Sequence, residues 1–502
     1  MAKKHETEAD LLVERQTVQG LVHGRRAEVD RFFGIPYAAP PVGAARFAAP
    51  RPPQPWRGVR SAVERGPSAP HKIRPFPAID VAPLVGDGGE RGDDYLTLNI
   101  WAPIEAVRAP VMLFIHGGGF IVGSKDAPVH DGSAFARDGV ICVAINYRLG
   151  IEGFLPLDGA PTNLGLRDMI AALQWVRDNI AGFGGDPANV TVFGESAGAM
   201  AVADLMTSPA AVGLFKRAIV QSGHGSMVRD PSVAKRLVRR LAKILKVPPT
   251  ASGFRAVDWE QGWAAIEKAS KPLFGVDLRD ADGLDPVYGI SRFVPVLGDD
   301  ILPIPPLAAL EGGAARDVDL LIGTNAEEMN LYFVPTRVRD KIPGFLARWM
   351  LGRSHPRAKA ALKAYGFGLK DKRPGAAMTE AMHDLVFRWP ARQFAERHQG
   401  RNHVYEFDWH SPACDGALGA SHGMELPFVF DTLDVASGPN GLCGTNPPQE
   451  LADRIHRIWV DFARDGSLPW PEFDRDGRLV HRLAANITAH EPVMPAADFL
   501  PR

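Results

Sequence analysis

Residues 189–193, Asn-Val-Thr-Val-Phe, form a short β-favouring run that ends in Gly194-Glu195-Ser196-Ala197-Gly198 and passes directly into the alanine-rich stretch 199–203. A strand that turns at once into a helix through a single serine leaves the chain few architectures. The small residues serve that turn. Glycines at 194 and 198 let the backbone approach its neighbours, which lifts the Ser196 hydroxyl to the C-terminal edge of a sheet. The following helix aims its N-terminus at the same point and favours negative charge developing there. A G-x-S-x-G string alone arises readily by chance. The strand before it and the helix after it make Ser196 a candidate nucleophile.

The rest of the chain fits such a sheet. Apolar, β-rich runs at 111–115, 140–145, 190–193, 218–221, 318–322 and 403–407 alternate with helical patterns at 166–180, 232–245, 378–398 and 451–462. In the first of these helices Leu166, Ile170, Leu173, Val176 and Ile180 recur at helical spacing. Strands alternating with helices imply an α/β fold with a large, mostly parallel central sheet and helices on both faces. The first hundred residues differ. The runs 17–22 and 27–33 predict a hairpin around His23-Gly24, followed by a strand at 96–102, which gives an antiparallel N-terminal edge. Seven prolines between 36 and 55 exclude helix and central strand there. That segment is either a linker or, given Phe47 and Trp56, an ordered cover.

Composition narrows the function classes. The chain has 502 residues, 45% hydrophobic and 23% charged, enough apolar material for a large core. No repeat is visible and no linker separates the chemical motifs, so one domain over 1–502 is expected, with 1–15 a flexible N-terminus. The 57 Lys and Arg against 58 Asp and Glu leave a net charge of −1, so no global field favours nucleic acid or an anionic membrane. Cys142, Cys414 and Cys443 are too few for a disulfide scaffold and lack zinc-ligand spacing. No apolar region follows Met1-Ala2-Lys3-Lys4, and no run approaches the ~18 apolar residues of a membrane helix. The expectation is a soluble, cytoplasmic protein with no membrane span, no nucleic-acid partner and no metal.

A serine nucleophile needs donors for an oxyanion, a base and an acid. About eighty residues before the turn, the run 111–115 leads into His116-Gly117-Gly118-Gly119-Phe120. Consecutive glycines expose backbone N–H groups with no side chain in the way, and the helix-start N–H of Ala197 would add another donor. The glycine spacing also allows a phosphate cradle, but 121–126 is a poor helix start, which argues against a nucleotide. The run 317–322 empties into Gly323-Thr324-Asn325-Ala326-Glu327-Glu328, so either glutamate is a candidate acid. A glycine-containing loop after the run 403–409 delivers His422, the candidate base, in the chain order Ser, acid, His. His116, His224, His383 and His456 are displaced from that order or fall on helices and strands.

Together these motifs resemble the type-B carboxylesterase family, which includes bacterial p-nitrobenzyl esterases, animal carboxylesterases and cholinesterases. The resemblance starts at Phe33-Gly34-Ile35-Pro36-Tyr37, continues through Asp94-Tyr95-Leu96-Thr97-Leu98-Asn99, His116–Phe120 and Asn146-Tyr147-Arg148-Leu149-Gly150, and ends at 422–430. It implies the α/β-hydrolase fold and hydrolysis of small-molecule esters without a cofactor. It also implies a Ser-Glu-His triad matched by Ser196, Glu328 and His422, with Glu328 the sixth residue counted from Gly323. Gly118, Gly119 and Ala197 match the oxyanion donors. Glu195 matches the glutamate beside the nucleophile, and Ser222 a serine near the triad. Tyr95 and Ala69 stand where many secreted members carry a disulfide, consistent with a reducing compartment. The same machinery could act on carbamates or aryl amides, and non-catalytic adhesion proteins share the fold.

Overall fold

In the computed structural model, which describes residues 11–73, 75–270 and 275–501, thirteen strands join in one sheet. They are β1 (Leu11–Thr17), β2 (Gly20–Arg26), β3 (Asp30–Pro36), β4 (Val59–Ser61), β5 (Thr97–Ala102), β6 (Ala109–Ile115), β7 (Ile141–Ile145), β8 (Gly185–Glu195), β9 (Arg217–Gln221), β10 (Asp319–Asn325), β11 (Asn402–Phe407), β12 (Leu479–Arg482) and β13 (Ile487–His490). Across the sheet the order is β1-β2-β3-β5-β7-β6-β8-β9-β10-β11-β12-β13, with β4 beside β2. From β7 to β12 neighbouring strands run parallel. The β1-β2-β3-β5-β7 side is antiparallel, as expected for the N-terminal edge.

The middle stretches of the central strands are apolar on both faces because both faces are covered, and their polar residues gather at the strand ends. Met112, Phe114, Cys142, Phe193 and Ile219 pack in one core, with Trp459 and Phe462 of helix Gln449–Asp465. Their neighbours Leu113, Ile115, Val143 and Val192 point the other way, into a core completed by helices Leu164–Asn179 and Ala197–Thr207. The chain leaves β6 for β7 on one side and later returns to β8 on the other. That reversal opens a crevice at the carboxyl ends of these strands, where a ligand site is expected.

Several expectations need correction. The expected hairpin is present as β2 and β3, but His23 and Gly24 do not form its turn; they lie within β2, opposite Glu14 and Val13 of β1, and the turn is Ala27–Val29. Gly24 marks a close crossing instead, since a Cβ there would stand 2.1 Å from the Arg31 carbonyl. Residues 11–15, expected as flexible, belong to β1, and 1–10 lie outside the described residues. The far edge is also antiparallel, because β13 folds back on β12; both strands are too short and too polar to stand out in the sequence. The expected helix 378–398 is divided into helix Pro374–His383, a π turn Asp384–Arg388 and helix Trp389–Arg397. Pro390 explains the break. It has no N–H to give to the carbonyl four residues back, and Val386 O accepts from His224 Nε2 at 2.7 Å instead. The proline-rich stretch is a cover, with Phe47 buried and the Trp56 indole donating to Leu21 O at 2.7 Å.

Candidate active site

Ser196 stands between β8 and helix Ala197–Thr207 with φ 55° and ψ −123°, a conformation that a side-chain-bearing residue adopts only under constraint. Its N–H donates to Gln221 O at 2.9 Å, which ties the turn to the end of β9. The helix also passes very close to β6: a Cβ on Gly198 would lie 1.9 Å from Ile115 O. Only glycine permits that approach.

The structure brings His422 to this serine. Its Nε2 lies 2.8 Å from Ser196 Oγ, and its Nδ1 lies 2.6 Å from Glu328 Oε2. Glu328 is fully buried, and its other oxygen accepts from Asn325 N at 2.7 Å. With the Glu328 carboxylate accepting from Nδ1–H, Nε2 carries the lone pair whenever the ring is neutral and then faces the serine proton. Phe387, on the π turn, packs 4.7 Å from the His422 ring centre, and Tyr332 packs at 5.7 Å. Glu327 points elsewhere. Its Oε2 accepts from Ala420 N at 2.7 Å while its own N–H donates to Ala420 O at 2.9 Å, so it clasps the loop that carries His422.

Gly118 and Gly119 line the same crevice, and among the described residues neither N–H has a hydrogen-bond partner. Gly118 has φ +108°, and a Cβ there would meet Val122 O at 2.2 Å, so the position admits no side chain. The loop is anchored by Ser291 Oγ, which donates to Gly119 O at 2.6 Å. His116 heads it in a structural role, its Nδ1–H donating to Gly117 O at 2.9 Å and its ring stacked on Tyr147. The crevice holds about 440 Å³, walled mainly by apolar groups such as Phe76, Leu84, Val122, Phe293 and Leu331.

Two further carboxyls surround the imidazole. Glu195 Oε1 is 3.2 Å from His422 Nε2, and burial pushes its pKa up to about 8, against the pull of the His422 cation. Burial disfavours that cation, yet Glu195 and Glu328 outweigh it and raise the His422 pKa to about 9. Glu425, also raised by burial, accepts from Asn325 Nδ2 at 2.6 Å and from Gln221 Nε2 at 3.2 Å. The sequence motifs assign no role to Asn325, Gln221 or Glu425, although each stands at a strand end or three residues past His422. Ser222 also lies at a strand end, donating its N–H to Gly323 O at 2.8 Å. Its buried Oγ makes no hydrogen bond to Ser196, Glu328 or His422 among the described residues.

Comparison with known proteins bears on this geometry. Residues 12–488 match the Carboxylesterase family. The chain belongs to that family. It is 35% identical to the para-nitrobenzyl esterase of Bacillus subtilis over 481 residues, 92% of each chain. It is 34% identical to the phenmedipham hydrolase of Pseudarthrobacter oxydans, covering 89% of this chain and 90% of that one. A solved PNB esterase superposes with a TM-score of 0.81 at 32% identity, over 97% of this chain and 99% of that one. This esterase therefore has the α/β-hydrolase fold and is a carboxylic ester hydrolase. Among its described residues no helix is long and apolar enough to cross a membrane.

Proposed function

We propose that the protein is a serine carboxylesterase in which Ser196, His422 and Glu328 form the triad and the N–H groups of Gly118, Gly119 and Ala197 hold the oxyanion. The observation that carries this reading is the unbroken hydrogen-bond chain from Ser196 Oγ through His422 to Glu328, at 2.8 and 2.6 Å, opening on N–H donors that no other group among the described residues occupies. Ser196 Oγ attacks the acyl carbonyl as its proton passes to His422 Nε2. Glu328 fixes the tautomer and compensates the imidazolium. The alkoxide forms where the loop and the helix start present N–H groups, which need no reorganisation during the reaction. The imidazolium protonates the departing alcohol; water, activated by the same histidine, then releases the acid.

The apolar walls favour small, neutral esters. Measuring kcat/KM over matched p-nitrophenyl esters, carbamates and anilides tests this. Esters should be turned over at least tenfold better, a difference of about 1.4 kcal/mol. Faster turnover of a carbamate or anilide would assign the triad to that chemistry instead.

A further inference from the structure

The net charge of −1 hides a strong local imbalance. Between residues 337 and 373 the chain carries eleven Lys and Arg against two Asp, a charge of +9 that leaves −10 on the remainder. This segment holds the short helices Val338–Lys341, Gly344–Gly352 and Ala358–Ala364. Arg337, Lys341, Arg348, Arg357, Lys359, Lys363, Lys370 and Arg373 are exposed on it, and one of the two aspartates, Asp340, is paired with Arg373.

The same surface displays large apolar groups. Phe345 is 76% exposed, Trp349 50% and Leu369 66%. Phe345, Arg348 and Trp349 fall at i, i+3 and i+4 of one helix and share a face. Phe367 packs on Gly344, which places the loop bearing Leu369 beside the start of that helix. Helix Ala358–Ala364 adds Lys359 and Lys363. Aromatic and leucine side chains standing out among lysines and arginines have the composition of an element lying in a lipid interface. There the rings enter the headgroup boundary and the long cations reach the phosphates.

The patch is also joined to the crevice. Leu331 and Tyr332 line it a few residues before the basic segment begins. Midway along the segment Ser354 O accepts from Asp285 N at 2.8 Å, bracing the loop whose residues 289–293 form another wall.

We infer that residues 337–373 dock the enzyme on an anionic phospholipid bilayer through Phe345, Trp349 and Leu369 within a ring of Lys and Arg. Phosphate attraction alone would also suit a nucleic acid, but a polyanion in water gives no reason for three exposed apolar side chains at the centre of the charge. An esterase held this way meets esters that have partitioned into the bilayer beside its crevice.

The test is co-sedimentation of the full chain with phosphatidylglycerol vesicles, with phosphatidylcholine vesicles alongside. Binding to phosphatidylglycerol at low salt, lost as salt screens the charges and at least tenfold weaker for phosphatidylcholine, is the expected result. Phe345→Ser/Trp349→Ser and, separately, Lys341→Glu/Arg348→Glu/Lys359→Glu should each weaken it at least tenfold, with hydrolysis of a water-soluble ester unchanged. Equal binding to the two lipids, or wild-type binding by the Phe345/Trp349 variant, overturns the proposal. So does tighter binding to duplex DNA that ignores the apolar pair, which would make the patch a nucleic-acid surface.

Discussion

Glu327 and Glu328 leave the same strand end and do different work, one clasping the His422 loop and the other meeting the ring. A neutral amide at Glu328 should spoil the tautomer and leave the imidazolium uncompensated, costing on the order of 10²–10⁴ in kcat. Glu327→Gln keeps an oxygen that can accept from Ala420 N, so its kcat should stay within about tenfold, or roughly 1.4 kcal/mol. Steady-state kinetics of both variants decide the register, and reversed effects would make Glu327 the acid. Glu195 gives a second residue-scale prediction. As base, His422 must be neutral, so the acidic limb of the kcat/KM profile follows its deprotonation. Glu195 is among the groups raising that pKa to about 9. Removing its negative charge in Glu195→Gln lowers the pKa, and the acidic limb should move to lower pH; a limb that stays put or moves up contradicts the field described around the imidazole.

At the scale of elements, the turn at Ser196 depends on how closely helix Ala197–Thr207 approaches β6. A methyl at Gly198 would meet the backbone carbonyls of Ile115 and His116, at 1.9 and 2.8 Å, and neither can move without shifting the strand. Gly198→Ala should lower stability by roughly 1–3 kcal/mol, as overpacking does, and reduce kcat by displacing Ser196. Gly352, a helical glycine with open space at its Cβ, is the control: its alanine variant should match or slightly exceed wild-type Tm. Equal Tm and kcat for Gly198→Ala would mean the approach is looser than described. The same scale shows what the sequence conceals. The central strands are readable because burial on both faces leaves their middle stretches apolar. Gly24 looks like a turn residue but is a strand crossing, and the periodicity of 378–398 continues through a π turn because Pro390 shifts the hydrogen bonds without moving the apolar face.

Over the whole molecule, the site is assembled from the ends of β8 and β10 and the loop after β11, so residues 196, 328 and 422 meet only once the sheet has formed. Ser196, His422 and the glycine loop were legible because their chemistry is carried by local patterns at strand ends. The choice between the two glutamates came from resemblance to a family, since the residues alone left both open. Asn325, Gln221 and Glu425 were not legible because their role is a buried network across three segments, which no local pattern encodes. Global charge hides local charge for a similar reason, averaging a +9 segment with a −10 remainder. The central claim is that all hydrolysis passes through one serine. Titration with an organophosphonate, followed by peptide mapping, tests it most directly. Activity should fall to zero at one equivalent per chain with the label on Ser196, and Ser196→Ala should fold, resist labelling and lose on the order of 10⁴–10⁶ in kcat. Label on another serine, or near-full activity in the alanine variant, would contradict it.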